Sequence, residues 1–286
     1  ILVNYLTPIT ITFLRYIIAA IALFIIQQFV KSNDKLMKED IFRIMISGFC
    51  GITLSMLFMT CAVRTIPASI AGLINGGIPI ATLLVEVLIF NKRTNKKIIL
   101  SFVLSFIGIA LTVSGGGGIT SGIGFFIGLL YMFLSVTCWV TYTFITEPLS
   151  NKYSAVFVLK YQTLFAIVTL LPFAIVDIYK MDSFFSIFII RDVVVNLLFL
   201  SIVSSALAYY ANIVGINKLG NSAASLFMNF TPVVSIIGSY IMFSDPITMN
   251  KIAGLIMIVV SIFIVNTDRS NVSETIQVND LLKERL

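Results

Sequence analysis

The chain contains no histidine and few charged residues. Charged residues make up 11% of its 286 residues and hydrophobic residues make up 58%, and the mean hydropathy is +1.04. A soluble domain carries about 25% charged residues. Without histidine, the chain lacks the commonest general base and metal ligand. The composition therefore predicts a membrane protein that is not an enzyme.

Cysteine is also scarce. Cys50, Cys61 and Cys138 lie inside apolar runs, at spacings that match no metal site or redox pair. A buried cysteine usually behaves as a small apolar residue. The apolar runs hold no cluster of carboxylates either. We therefore expect no metal site, no cofactor and no catalytic residues.

Nine apolar runs have the length of a membrane-spanning helix. Crossing a hydrocarbon core of about 30 Å takes about 20 helical residues, and a helix satisfies its own backbone hydrogen bonds in the bilayer. The runs cover residues 10–30, 41–63, 68–90, 98–114, 123–146, 154–176, 193–214, 221–243 and 252–266. The sequence thus predicts an all-α integral membrane protein.

The runs repeat at an offset of 153 residues. At this offset Pro79 falls on Pro232 and Phe90 falls on Phe243. A proline inside the same apolar run of each half indicates two related halves. We predict a first repeat half at 1–114, a glycine-rich linker at 115–122, a second repeat half at 123–266 and a polar cytoplasmic tail at 267–286.

The second half begins with a run, residues 123–146, that has no full counterpart in the first. Residues 1–6, before Thr7 and Pro8, are apolar but too short to span a membrane. We expect a first helix that is largely missing from this chain. The predicted fold is a ten-helix inverted repeat of two five-helix halves, of which nine full spans are present.

The basic residues predict how the spans are oriented. Fourteen of the 19 Lys and Arg residues fall on one side of the predicted spans and five on the other. Basic residues collect in short cytoplasmic loops, which makes the C-terminus cytoplasmic. Five helices per half then insert the two halves in opposite orientations. The net charge of +6 reflects this orientation, so we expect no nucleic-acid partner.

Three motifs resemble the EamA-type branch of the drug/metabolite transporter superfamily. In the second half, Pro232 is followed by Met242, Phe243, Ser244, Asp245 and Pro246, and then by Gly254. In the first half, Pro79 is followed by Ile89, Phe90, Asn91, Lys92 and Arg93, so Lys92 stands in the acidic place of the turn. Residues 7–16 are similar to the start of the family's second helix, whose arginine would be Arg15.

This resemblance covers nearly the whole chain and implies a ten-helix carrier in the cell membrane. It implies a central cavity and the transport of small metabolites such as amino acids, often outward. The departure at Lys92 argues against assigning a role to the acidic residue of the turn.

The two repeated prolines predict a substrate-binding level. A proline ring prevents the hydrogen bond to the carbonyl four residues earlier, and Asn75 and Asn229 place amide side chains within a turn of Pro79 and Pro232. Gly76 beside Asn75 permits close approach to the backbone. Polar groups at this depth face protein or a water-filled cavity. The alternative is that both asparagines only bond neighbouring helices.

Charged residues inside the runs predict a gate or a coupling site. They are Arg15, Glu86 and Lys160. Arg15 and Lys160 are close enough to a span end for their side chains to reach the membrane surface. A Glu86–Lys160 ion pair at an inner gate and proton transfer by Glu86 are two further hypotheses.

Aromatic residues on the inner halves of the spans have two interpretations. Trp139 and Tyr210, with Tyr142 and Tyr209, either form an interface belt or line a vestibule that holds substrate. The sequence alone does not separate these interpretations.

The function predicted from these features is secondary transport, with export of a small metabolite by alternating access. The alternatives are a non-transporting membrane scaffold or receptor subunit, and a flippase for a lipid-linked substrate. The expected partners are a small-molecule substrate and the lipid bilayer, and the sequence is also compatible with a homodimer.

Overall fold

The computed structural model describes most of the chain. The described residues are 2–29, 34–89, 96–114, 122–181, 184, 186–221, 224, 228, 230–244, 246–261 and 263–264. The glycine-rich linker, apart from Gly122, and the predicted tail 267–286 lie outside the described residues, as do Asn229, Lys92 and Asp245.

Helices make up the regular structure of the described residues. In chain order they are α1 (Pro8–Phe29), α2 (Lys38–Ser47), α3 (Ser55–Ala62), α4 (Ala68–Asn75), α5 (Ile78–Leu88), α6 (Lys96–Ser114), α7 (Ile123–Ser150), α8 (Ala155–Tyr179), α9 (Arg191–Leu198), α10 (Ala208–Leu219), α11 (Phe230–Phe243) and α12 (Met249–Ser261). Two π-helical segments, Gly48–Leu54 and Phe199–Leu207, join α2 to α3 and α9 to α10. Short 3₁₀ helices occupy Leu2–Asn4 and Ser186–Ile189.

The described residues of the nine predicted spans are helical, except for a turn at Gly76 and Gly77 and single residues at some span ends. Six are long and apolar enough to cross a membrane: Pro8–Phe29, Lys38–Ala62, Ala68–Leu88, Ile123–Ser150, Ala155–Tyr179 and Arg191–Leu219. Long apolar runs fold this way because a helix leaves no backbone group unpaired in lipid. The protein is therefore a multi-pass membrane protein with an all-helical fold.

The interruption expected at Pro79 lies between two helices. Helix α4 ends at Asn75, and Gly76 and Gly77 form a turn before α5 begins at Ile78. Pro79 then occupies the first turn of α5, where a helix needs no N–H donor. The proline therefore starts a new helix within this span.

The chain folds into two compact units, and each draws on both predicted halves. Unit 1 comprises residues 1–66 and 122–224, and unit 2 comprises residues 67–121 and 225–286. In unit 1, α1 packs on α8, and α3 packs on α7. In unit 2, α4 packs on α11. The contacts within the fold therefore group the residues into units that differ from the predicted sequence halves. The two halves stay a prediction about the repeat.

Each unit has its own apolar core. One core of unit 1 consists of Leu2, Leu6, Ile11, Val193 and Leu197. The core of unit 2 consists of Leu73, Ile80, Ile236 and Ile258.

Glycines allow the helices of each unit to approach closely. A Cβ atom at Gly48 would lie 2.7 Å from the backbone oxygen of Gln162, in α8. In unit 2, a Cβ atom at Gly108 would lie 2.8 Å from the backbone oxygen of Gly254. Small residues at such contacts are characteristic of membrane helix packing. Both contacts require glycine because a backbone oxygen cannot move aside.

Several helix boundaries recur at the 153-residue offset. The start of α2 at Lys38 maps onto the start of α9 at Arg191, and the start of α3 at Ser55 maps onto the start of α10 at Ala208. The π-helical segment Gly48–Leu54 maps onto residues 201–207, inside the segment Phe199–Leu207. π-helical turns are rare in proteins, so their recurrence at one offset is informative.

A buried carboxylate fixes the start of α2 in unit 1. Asp40 is 1% exposed and accepts hydrogen bonds from the Tyr153 hydroxyl at 2.9 Å and from Lys152 Nζ at 3.1 Å. The Met37 N–H donates to the Tyr153 oxygen at 3.2 Å. Burial raises the pKa of Tyr153 above its usual value, so this residue remains a hydrogen-bond donor at neutral pH.

Replacing Asp40 by asparagine is expected to destabilise unit 1. Hydrogen bonds to a charged group are worth about 1.5–3 kcal/mol, and Asp40→Asn removes the charge that Lys152 faces. Thermal unfolding of the purified protein in detergent measures the loss. Glu39→Gln, a change at the exposed neighbouring position, should leave the unfolding temperature unchanged. Equal unfolding temperatures for Asp40→Asn and the unaltered protein would contradict this role.

Candidate functional site

The side chain of Arg15 is buried inside unit 1. It lies on α1 and is 3% exposed. Its Nε donates a hydrogen bond of 2.7 Å to the hydroxyl of Ser205, and its Nη1 lies 3.6 Å from the sulfur of Met56. The guanidinium carbon is 5.2 Å from the centre of the Tyr16 ring. The sequence alone allowed the side chain of Arg15 to reach the membrane surface. The structure shows instead that it is buried inside the unit.

Arg15 has no carboxylate partner among the described residues of unit 1. The described carboxylates of this unit are Asp34, Glu39, Asp40, Glu147, Asp177 and Asp192. Four of them accept hydrogen bonds from other groups. Asp34 accepts from the Ser154 N–H, and Asp40 accepts from Lys152. Glu147 accepts from the Asn221 N–H, and Asp177 accepts from the hydroxyls of Thr7 and Thr10. The other two, Glu39 and Asp192, are exposed. A buried cation normally pairs with an anion or marks a substrate pathway.

Aromatic rings extend from Arg15 into the interior of the unit. The hydroxyls of Tyr16 and Tyr209 lie 3.5 Å apart. The ring of Tyr209 lies 5.2 Å from that of Trp139, which lies 5.3 Å from the ring of Tyr142. All four residues are buried. We call Arg15, Tyr16, Trp139, Tyr142, Ser205 and Tyr209 the polar-aromatic cluster.

The cluster contains buried polar atoms without a hydrogen-bond partner. Within the described part of the chain, the indole N–H of Trp139 has no hydrogen-bond partner, whereas the hydroxyl of Tyr142 faces that of Thr146. In the same unit, Gln162 donates to the hydroxyls of Ser47 and Thr146 at 2.8 and 3.0 Å, whereas its Oε1 has no partner there. Buried polar groups are nearly always bonded. A buried N–H without a partner and a buried cation without a described carboxylate, both in one cluster, are the arrangement expected of a ligand site.

Both π-helical segments contribute to the cluster. Ser205 lies in the second segment, and its hydroxyl donates to the Leu200 carbonyl at 3.0 Å while it accepts from Arg15. In the first segment, the carbonyl of Gly51 lies 3.4 Å from the hydroxyl of Tyr209, which donates to it. π-helical turns occur frequently at functional sites. Here they bring a hydroxyl to the buried charge of Arg15 and a carbonyl to Tyr209.

Unit 2 holds the residues predicted around the repeated prolines. A Cβ atom at Gly76 would lie 2.2 Å from Cγ of Pro232, so α4 and α11 meet at these two residues. Pro232 is buried, whereas Asn75 is half-buried. Pro79 is buried in the first turn of α5. The contact at Gly76 is helix packing, and substrate binding by this group, including Asn229 outside the described residues, stays a prediction.

The remaining predicted residues occupy different environments. Lys160 of unit 1 is 9% exposed, and its Nζ lies 4.7 Å from the ring centre of Tyr161 and 5.4 Å from that of Phe24. Glu86 of unit 2 is 5% exposed. Tyr210 is half-buried, next to the buried Tyr209. The proposed Glu86–Lys160 pair stays a prediction.

The described residues contain no group of three or more His, Cys, Asp or Glu that could hold a metal ion. Cys50, Cys61 and Cys138 are half-buried, and none of them forms a disulfide. The polar-aromatic cluster offers donors and apolar rings, a set suited to binding a small organic molecule.

Comparison with known proteins identifies relatives along nearly the whole chain. The sequence pattern of the EamA-like transporter family matches residues 1–114 and 126–267. Uncharacterized transporter YetK of Bacillus subtilis (strain 168) is 21% identical over 88% of this chain and 76% of its own length. An uncharacterized transporter of Archaeoglobus fulgidus is 22% identical, over 92% of this chain and 90% of its own length.

A solved crystal structure shares the fold. It has a TM-score of 0.66 and 16% sequence identity, and the match covers 91% of this chain and 89% of the other. The fold, the apolar helices and the sequence pattern agree on a membrane transporter, which is not an enzyme. The chain belongs to the EamA-like transporter family.

Proposed function

We propose that the protein is a secondary transporter that exports a small metabolite, such as an amino acid or a related compound, by alternating access. The observation that carries this proposal is the buried Arg15, which has no carboxylate partner among the described residues of unit 1. In the same cluster, the indole N–H of Trp139 also has no partner among the described residues. A small polar compound in the polar-aromatic cluster would supply both missing partners, whereas a scaffold protein has no use for them.

We further propose that the fold is an inverted repeat with five spans in each half. The recurring helix starts and π-helical segments at the 153-residue offset support this arrangement. The family pattern also matches two separate stretches, residues 1–114 and 126–267. Repeat halves related in this way can exchange conformations, which is how inverted repeats produce alternating access. The π-helical segments would act as hinges, since they already depart from regular α-helix.

The proposed location is the cell membrane, with the C-terminus in the cytoplasm. The excess of Lys and Arg on one side of the spans supports this orientation. In this orientation α1 begins at the outer surface of the membrane and α2 begins at the inner surface.

The proposed function is tested by metabolite efflux from cells. Extracellular metabolites are profiled for cells that make the unaltered protein and for cells that make Asn75→Leu with Asn229→Leu at equal membrane abundance. We expect a compound to accumulate outside only with the unaltered protein, because the double change removes two amides from the predicted proline level. Asn250→Leu, at an exposed position, is the matched control and should export normally. A broad panel with no compound exported would refute export.

A further inference from the structure

The hydrogen bonds of Arg15 leave most of its donors unused. A guanidinium has five N–H groups in a planar fork. Among the described residues, Nε donates to the Ser205 hydroxyl and Nη1 approaches the Met56 sulfur, which is a weak acceptor. Three of the five N–H groups therefore have no acceptor among the described residues, which is enough for a two-point contact with a carboxylate.

No described carboxylate of unit 1 compensates the charge of Arg15. Among the described residues, the guanidinium contacts the hydroxyl of Ser205, the thioether of Met56 and the face of the Tyr16 ring. These groups solvate a cation less well than water does, and an isolated buried charge is strongly unfavourable. One bound monoanion would balance the single positive charge, whereas a phosphate dianion would require a second cation.

The rings that connect to Arg15 through Tyr16 and Tyr209 have the chemistry for the rest of such an anion. Trp139, Tyr142 and Tyr209 lie with ring centres 5.2–6.1 Å apart. Aromatic side chains bind apolar groups through their large faces. The unpaired indole N–H of Trp139 adds one neutral donor for an oxygen atom of the ligand.

We propose that Arg15 binds a carboxylate group of the transported compound and that the rings of Trp139, Tyr142 and Tyr209 hold its apolar body. This proposal rests on the proposed transport function and defines its substrate class as monocarboxylates with an apolar or aromatic side. No described carboxylate of unit 1 is free to pair with a ligand ammonium, apart from the two exposed ones. The carboxylate is therefore required for binding, and an amino group is not.

The single tryptophan of the chain makes this proposal measurable. Trp139 is the only tryptophan and belongs to the polar-aromatic cluster. Its emission is recorded from purified protein in lipid nanodiscs during titration with three probes of similar size: phenylacetate, phenylacetamide and phenethylamine. We expect phenylacetate to bind about 10- to 100-fold more tightly than the other two, the range expected for charge-assisted hydrogen bonds.

Arg15→Gln should remove this preference by weakening phenylacetate binding and leaving phenylacetamide binding unchanged. A purely structural role for Arg15 would weaken both probes alike. Arg64→Gln is the matched control: among the described residues, Arg64 donates long hydrogen bonds of 3.4 Å to the carbonyls of Val3 and Leu6, outside the cluster. It should keep the full preference for phenylacetate.

Equal binding of phenylacetate and phenylacetamide by the unaltered protein would overturn the proposal, and this comparison needs no variant to fold. Persistence of the preference in Arg15→Gln would overturn it as well. Failure of the site and failure of transport are distinguishable. If the protein exports a metabolite but shows no preference for carboxylates, only the proposed carboxylate site is refuted. If binding depends on Arg15 but no compound is exported, only the proposed transport function is refuted.

Discussion

Gly51→Ala is expected to lower transport about 10- to 100-fold. A Cβ atom at Gly51 would lie 2.1 Å from Cγ of Tyr142 and 2.5 Å from its Cβ. Tyr142 is fully buried, with its ring 5.3 Å from that of Trp139, so it cannot yield without disturbing the polar-aromatic cluster. Overpacking of this kind costs about 1–3 kcal/mol, and a cost of that size borne by the substrate-bound arrangement of the cluster lowers affinity by about one to two powers of ten. Initial export rates of the compound found by metabolite profiling measure the effect.

The matched control for this change is Gly124→Ala. Gly124 lies on α7, the helix that also carries Tyr142, and a Cβ atom there would meet nothing within 4 Å. Export by Gly124→Ala should equal that of the unaltered protein at equal membrane abundance. Export by Gly51→Ala at the normal rate would show that the cluster does not take part in transport.

Gly48→Ala is expected to destabilise unit 1 by about 1–3 kcal/mol. The added Cβ atom would lie 2.7 Å from the backbone oxygen of Gln162 and 3.1 Å from its Cα. These are backbone atoms of α8, so relief requires the π-helical segment Gly48–Leu54 and α8 to separate. Thermal unfolding of purified protein in detergent should show a lower midpoint temperature for this variant.

Gly215→Ala, at another helical glycine of unit 1, is not expected to lower the unfolding temperature. Its Cβ atom would lie 3.6 Å from the Cβ of Ala224, an ordinary contact, and alanine favours a helix over glycine by about 0.8–1 kcal/mol. The unfolding temperature of Gly215→Ala should therefore be at least that of the unaltered protein. Gly48→Ala with an unchanged unfolding temperature would contradict the close contact between its segment and α8.

The spans were predictable because long apolar runs leave a membrane protein few alternatives. Helix α1 and helix α7 follow the predicted runs 10–30 and 123–146 within a few residues at most ends. The π-helical segments were not predictable, since one additional residue per turn leaves no mark on an apolar run. The contact of Gly51 with Tyr142 joins residues that are far apart in the sequence and is equally invisible there.

The composition of the candidate site was partly predictable. Arg15 and Trp139 are conspicuous as a charge and a large amphipathic ring inside apolar runs. Their grouping was not visible, because Arg15 and Ser205 are 190 positions apart along the chain. Only the folded unit shows the hydroxyl of Ser205 accepting from a buried guanidinium. No local pattern encodes such a contact.

The most direct test of the account is the response of Trp139 to the exported compound. The compound that efflux profiling identifies is titrated into purified protein in nanodiscs while the emission of this single tryptophan is recorded. Binding in the polar-aromatic cluster predicts a saturable change in emission, which Gly51→Ala weakens and Gly124→Ala does not. A compound that is exported by the protein but leaves the emission of Trp139 unchanged would contradict binding at this cluster.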